Sequence, residues 1–186
     1  MASANRLSFP VVAAFGSTAA PIAAIGLVMG VYLPRFFTGH IGLSLGAVGA
    51  AFGIVRLLDL AVDPLLGMGM DRTRLKLGRY RPWLILGAPV TMLATYMLFM
   101  ASPGISLGYL ITWLLILYLG VSILTLSQAA WGASLATDYH DRSRVYGVIQ
   151  AVGVLGSVII LLLPLFLAKT PMGAHGRSEE RRVGKE

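Results

Sequence analysis

The sequence predicts an all-α integral membrane protein with five transmembrane helices and a cytoplasmic N-terminus. Three observations carry this. Of 186 residues 56% are hydrophobic and only 12% charged, with mean hydropathy +0.78, where a soluble domain carries about 25% charge. The apolar residues fall into five runs, and the charges fall into short segments between them. The composition excludes an ordinary globular enzyme and a disordered chain. The net charge of +7 would point to nucleic acid in a soluble protein; here it reports topology, and no nucleic-acid partner is expected. The absence of cysteine excludes disulfides, thiolate metal sites and cysteine nucleophiles.

A spanning helix needs about 20 apolar residues. The runs at about 9–33, 43–68, 83–100, 107–135 and 145–167 qualify. Lipid demands that each span satisfy its own backbone hydrogen bonds, and the Leu, Ala, Ile, Gly and Val content suits helices rather than alternating barrel strands. The first run resembles a secretory signal in part, but four further spans follow, so it is read as an uncleaved helix. In that run Pro21, Gly26 and Gly30 either mark a broken helix lining a cavity or permit close helix packing.

Orientation follows the basic residues. Arg72, Arg74, Lys76, Arg79 and Arg81 follow the second run, and Arg142 and Arg144 follow the fourth, on the same side as Arg6. The loops on the other side and the start of the tail hold only Arg35 and Lys169, while the tail beyond adds Arg177, Arg181, Arg182 and Lys185 there, against the pattern. The expectation is a multi-pass protein of the plasma membrane, the inner membrane in a bacterium. Residues 1–168 form the membrane bundle, and composition changes in 169–186, where Glu179, Glu180 and Glu186 are the only glutamates. That segment is either a flexible solvated tail or foreign to the natural protein.

The second run contains Arg56, Asp59 and Asp63. Spacings of three and four residues put all three on one helical face. Each charge costs about 2.5–3.5 kcal/mol at mid-membrane, so lipid exposure is untenable. Arg56 bridging Asp59 would pin helices together, yet one arginine cannot neutralise two aspartates. The second carboxylate asks for a cation or a proton. Pro64 directly after Asp63 loosens the helix and frees a carbonyl. Intramembrane acids of this kind mark transport pathways. His40 and His140 lie in loops and read as solvated. Trp83, Trp113 and Trp131 read as interfacial anchors or packing. P-loop, G-x-S-x-G and H-E-x-x-H patterns are absent, so neither enzyme chemistry nor a cofactor is supported.

The segment Gly67-Met-Gly-Met-Asp71-Arg72-Thr-Arg74, followed by Gly78-Arg79, resembles the loop between the second and third helices of the major facilitator superfamily. Its logic is a small residue for close helix approach, then an acid at a helix end meeting arginines, a latch that breaks and re-forms. The longer stretch from Asp59 to Trp83, D-x-x-x-D-P-L-L-G-x-x-x-D-R-T-R-x-x-x-G-R-Y-R-P-W, is similar to the signature of the glycoside–pentoside–hexuronide:cation symporters, the melibiose permease family. Trp131–Arg144, WGASLATDYHDRSR, resembles that family's segment at the end of helix four.

The resemblance covers about residues 7–167 and implies helices one to five of twelve, in the N-terminal half of a transporter. It implies symport of Na⁺, Li⁺ or H⁺ with a sugar or related small solute. It places the cation-site acids at Asp59 and Asp63 with Ser127 at a third position, and the solute site at Arg56, Trp131 and Gln150. The family's helix-one acid falls at Ala23, its helix-four acid at Ser127 and its helix-five arginine at Gln150, which argues against a melibiose-like galactoside. Beyond the bilayer and the solute, the implied partner is the C-terminal half of the same protein, without which the chain is expected to be inactive. The competing expectation is a self-contained five-helix scaffold with a structural charge cluster.

Overall fold

The chain is described by a computed structural model covering residues 8–136 and 138–169, with side chains to Phe166. Its elements are α1 (Phe9–Gly16), α2 (Ala19–Leu27), a π-helical turn (Val28–Tyr32), α3 (Leu33–Gly39), α4 (Leu45–Arg72), α5 (Arg81–Phe99), α6 (Leu107–Leu135) and α7 (Tyr139–Lys169). Among the described residues, five helical stretches are long and apolar enough to cross a membrane, the first running from Phe9 to Gly39 through α1–α3.

The interruptions of the first span have identifiable causes. Proline carries no N–H, so Pro21 cannot donate to the Ser17 carbonyl and Pro34 cannot donate to that of Gly30. The helix breaks at Ser17–Thr18 and widens into the π turn just before Pro34. Thr18 Oγ1 donates to the Phe15 carbonyl at 2.7 Å, and Gln128 Nε2 of α6 donates to Thr18 Oγ1 at 2.6 Å. The break is thereby held by a buried side chain of another helix.

Four of the five helices run differently from the apolar stretches. The first continues to Gly39, the second spans 45–72, the third 81–99 and the fifth 139–169, while the fourth matches at both ends. Hydropathy marks the hydrocarbon-embedded part of a helix. The backbone ladder continues beyond it, to segments that carry the exposed Arg72, Arg81, Arg142 and Arg144. Ser44 and Ser106 start α4 and α6 by accepting the amides of Ala47 and Tyr109, each at 3.2 Å, a usual N-cap arrangement.

Small residues set the helix crossings, as expected where lipid removes the hydrophobic drive between helices. The first span crosses α7 at Ala19, Ala20 and Ala23 against Gly153 and Gly156. A methyl on Gly156 would lie 2.7 Å from the Ala20 carbonyl oxygen. α5 meets α6 at Thr91 against Gly120, with no room for a Cβ, and at Gly87 against Ile123 and Leu124. The main core cluster includes Leu33, Phe37, Val48, Val55, Leu98 and Leu114. A smaller one, Val12, Phe15, Ala136 and Val145, closes the end near Trp131. Tyr32 of the π turn donates to the carbonyls of Ile160 and Leu161 at 3.2 and 3.3 Å. The first of these is the carbonyl that Pro164 leaves without a helical donor.

Candidate functional site

Of the charged face of α4, Asp59 points inward. Asp59 is 1% exposed although its helix is largely uncovered. Its two oxygens meet different donors. Arg56 Nη1 lies 3.0 Å from Oδ2, and Ser122 of α6 donates to Oδ1 at 2.8 Å. The Arg56 side chain is 70% exposed, so the guanidinium reaches back over the carboxylate from the open side. One turn on, Asp63 Oδ1 is buried and has no hydrogen-bond partner among the described residues. An unpaired buried polar atom is costly and uncommon in a native fold. Pro64 follows it within α4 and leaves the Leu60 carbonyl without its helical donor.

These groups line a cleft of about 410 Å³ between the first span, α4 and α6. Gly26, Met29 and Gly30 form its far wall, and Tyr118 and Thr125 join Ser122 on α6. A Cβ added at Gly26 or Gly30 would meet nothing within 4 Å. Close packing therefore belongs to Gly153 and Gly156 of α7, and Gly26 and Gly30 keep the cleft open. Of the two readings of the first span, the broken helix lining a cavity is the one observed.

The cleft gathers Arg56, Asp59 and Asp63 and leaves three other expected residues outside its lining. Ser127 is fully buried, with its hydroxyl 3.6 Å from Met70 Sδ. It lies five residues beyond Ser122, about 140° round the helix from it. Trp131 faces the end of the bundle, with Phe15 edge-on at 5.0 Å and the Arg81 guanidinium over its ring at 5.0 Å. Gln150 is exposed on α7. The residues that sequence reasoning passed over are Tyr118, Ser122 and Thr125. Their i, i+4, i+7 spacing is a polar stripe in an apolar helix, a legible signal.

The loop after α4 is tied to α5. Trp83 Nε1 donates to Thr73 Oγ1 at 3.0 Å, which donates to the Gly69 carbonyl at 2.9 Å. Gly69 itself packs under the Trp83 ring. Gly67, by contrast, has nothing within 4 Å of an added Cβ. Gly78 adopts φ +98°, and its amide closes on the Leu75 carbonyl at 2.9 Å. Asp71 lies 3.7 Å from Arg79 Nη1 and accepts from Tyr80 Oη at 3.5 Å. Among the described residues no acid pairs with Arg72 or Arg74.

Residues 14–183 match the family described as MFS/sugar transport protein. The chain is 33% identical over 144 residues to the uncharacterized symporter YnaJ of Bacillus subtilis, covering 74% of this chain and 30% of that protein. It is 30% identical over 155 residues to the isoprimeverose transporter of Lactiplantibacillus pentosus, covering 78% and 32%. It is 26% identical over 152 residues to the lactose permease of Lactobacillus helveticus, covering 75% and 23%. The chain thus aligns with about a third or less of the length of these curated relatives. The described residues form five helical stretches of spanning length around a charged cleft, and the family match covers most of the sequence; the chain belongs to the MFS/sugar transport family, whose members are membrane transporters and not enzymes.

Proposed function

We propose that the chain is the N-terminal part of a longer symporter that couples a cation to the uptake of a sugar or related small solute, across the inner membrane in a bacterium. The relatives named for isoprimeverose and lactose support the solute class. One observation carries the coupling. Asp63 holds a buried, unpartnered carboxylate oxygen beside an Asp59 whose two oxygens are already engaged. A Na⁺, a Li⁺ or a proton supplies the missing positive charge, and its release returns two carboxylates to mutual repulsion. Arg56 and the α6 hydroxyls face the same cleft and bind the solute's polar groups. Ser127, Trp131 and Gln150 lie outside that lining, so a part for them in ion or solute binding would need a different state of the bundle. A free-standing scaffold would account for the Arg56–Asp59 pair but leaves Asp63 unexplained.

In this reading the N-terminus and the 73–80 loop are cytoplasmic, and Gly67, Asp71, Arg72, Arg74, Gly78 and Arg79 form a latch to the other half. The long 3.7 Å separation of Asp71 and Arg79 suits a contact that breaks and re-forms. The test is gradient-driven uptake by the full-length protein with Na⁺, Li⁺ and H⁺ gradients imposed separately. At least one gradient should drive accumulation, and accumulation indifferent to all three would remove the symport reading. Single-cysteine labelling checks orientation. Positions 73 and 141 should react only from the cytoplasm and position 104 only from outside, and the reverse pattern would invert the latch.

A further inference from the structure

A second pocket of about 410 Å³ lies at the end of the bundle, between the 73–80 loop and the last turns of α6. Its lining includes Leu77, Arg79, Tyr80, Arg81, Trp131 and Ser134, with no acidic residue. We propose that this pocket binds the headgroup of an anionic phospholipid, with Arg79 and Arg81 holding the phosphodiester. The assignment does not depend on what the protein transports.

Three observations point to this ligand. The first is the state of the arginines. Arg81 holds its guanidinium carbon 5.0 Å from the centroid of the Trp131 ring, a cation–π contact that uses none of the N–H donors as a hydrogen bond. Among the described residues no acid pairs with Arg81, and Arg79 reaches Asp71 only at 3.7 Å, with both side chains about half exposed or more. The Ser134 hydroxyl is committed to the Trp131 carbonyl at 2.8 Å, so the donors facing the pocket are chiefly guanidinium. Planar forked donors suit phosphate oxygens.

The second is depth. Arg81 is the first residue of α5, and Trp131 lies in the last turns of α6. Both are ends of membrane spans, the level at which tryptophan and basic side chains meet headgroups.

The third is the loop itself, and it separates a lipid from a soluble anion. Leu75 and Leu77 are 57% and 58% exposed and alternate with Arg74 and Lys76. The turn that presents them is built, closed by the Leu75–Gly78 bridge and the positive φ of Gly78. A soluble phosphate has no use for exposed leucines beside its site. A lipid places its acyl chains there and its phosphate on the arginines.

Native mass spectrometry of the full chain in neutral detergent tests this, with phosphatidylglycerol and phosphatidylcholine of identical acyl chains as probes. Phosphatidylglycerol should bind more tightly, by about tenfold or more, and Arg79→Gln/Arg81→Gln should lose about thirtyfold, the weight of two basic residues at a lipid surface. Arg72→Gln/Arg74→Gln, with the same charge change outside the pocket lining, should lose much less. Equal losses in the two double variants would show a diffuse basic surface and overturn the site. Displacement of the lipid by millimolar inorganic phosphate would reassign the pocket to a soluble anion. A second readout uses the unsubstituted chain. Phosphatidylglycerol brominated near the headgroup should quench tryptophan emission more than the equally brominated phosphatidylcholine, and equal quenching would also overturn the proposal.

Discussion

The helix α4 carries an aspartate in its middle and another at its end, and the two are held in opposite ways. Asp59 is almost fully buried and gives each oxygen to a separate donor, at 3.0 Å from Arg56 and 2.8 Å from Ser122. The Asp71 side chain is 68% exposed and meets Arg79 at 3.7 Å. Water solvates Asp71 whatever its neighbours do, so its ion pair is worth little and breaks easily. Lipid gives Asp59 no such alternative, so its partners must be built into the fold. Asp63 sharpens the contrast, since it is half-buried and its buried Oδ1 has no hydrogen-bond partner among the described residues. Charge at mid-span is fixed by geometry, and charge at the membrane surface is free to exchange partners.

The contrast breaks most visibly at Asp63. Asp63→Asn in the full-length protein should reduce gradient-driven accumulation to the level of downhill diffusion while solute binding persists. Asp59→Asn should do the same, because the paired carboxylates act as one site. Uptake assays in vesicles with imposed ion gradients measure this. Normal accumulation by either variant would make the cluster structural and remove the distinction between the two ends of α4.

Next in size is the effect of Gly156→Ala against Gly26→Ala. The first forces a methyl against the Ala20 backbone, and the second enters open space. Thermal unfolding in detergent should show Gly156→Ala destabilised by about 1–3 kcal/mol, and Gly26→Ala shifted by no more than about 0.5 kcal/mol. Similar losses in both would mean that the cleft wall is a packing surface after all.

Ser122→Ala should tighten binding of the coupling ion by about tenfold, because Asp59 loses the hydrogen bond that stabilises its ion-free carboxylate. Ser122→Thr, which keeps the hydroxyl, should return the affinity most of the way. Ion titration of solute binding reads this directly, and an unchanged affinity would confine Ser122 to helix packing. The smallest effect is expected at Asp71→Asn. Its rate should fall roughly twofold to fivefold with the ion dependence intact. A change in ion dependence there would mean that the surface acid and the buried pair are one system.

Much of the fold was legible because lipid is a demanding solvent. It requires apolar runs of spanning length and backbone groups satisfied within each helix, so five spans follow from composition alone. The Arg56, Asp59, Asp63 cluster was legible for the same reason, since charge inside such a run needs an account. A break in the first span was one of two readings of Pro21, Gly26 and Gly30, and the structure places it near Pro21, at Ser17–Thr18. The helix ends were less legible, because hydropathy reports where the hydrocarbon ends and not where the backbone ladder stops. Sequence alone thus determined the environment, the spans and the residues on the charged face of α4.

Tertiary structure decided which partners those residues meet. Ser122 rather than Ser127 donates to Asp59, because residues five apart on α6 face different neighbours. Trp131 turns to Arg81 and Phe15 at the bundle end instead of the cleft. Gly26 and Gly30 open a space while Gly153 and Gly156 close one, although all four are glycines in apolar helices. Periodicity fixes which side chains share a face of one helix; which neighbour that face meets depends on the rotation and crossing of the others, and a single chain's pattern does not contain these.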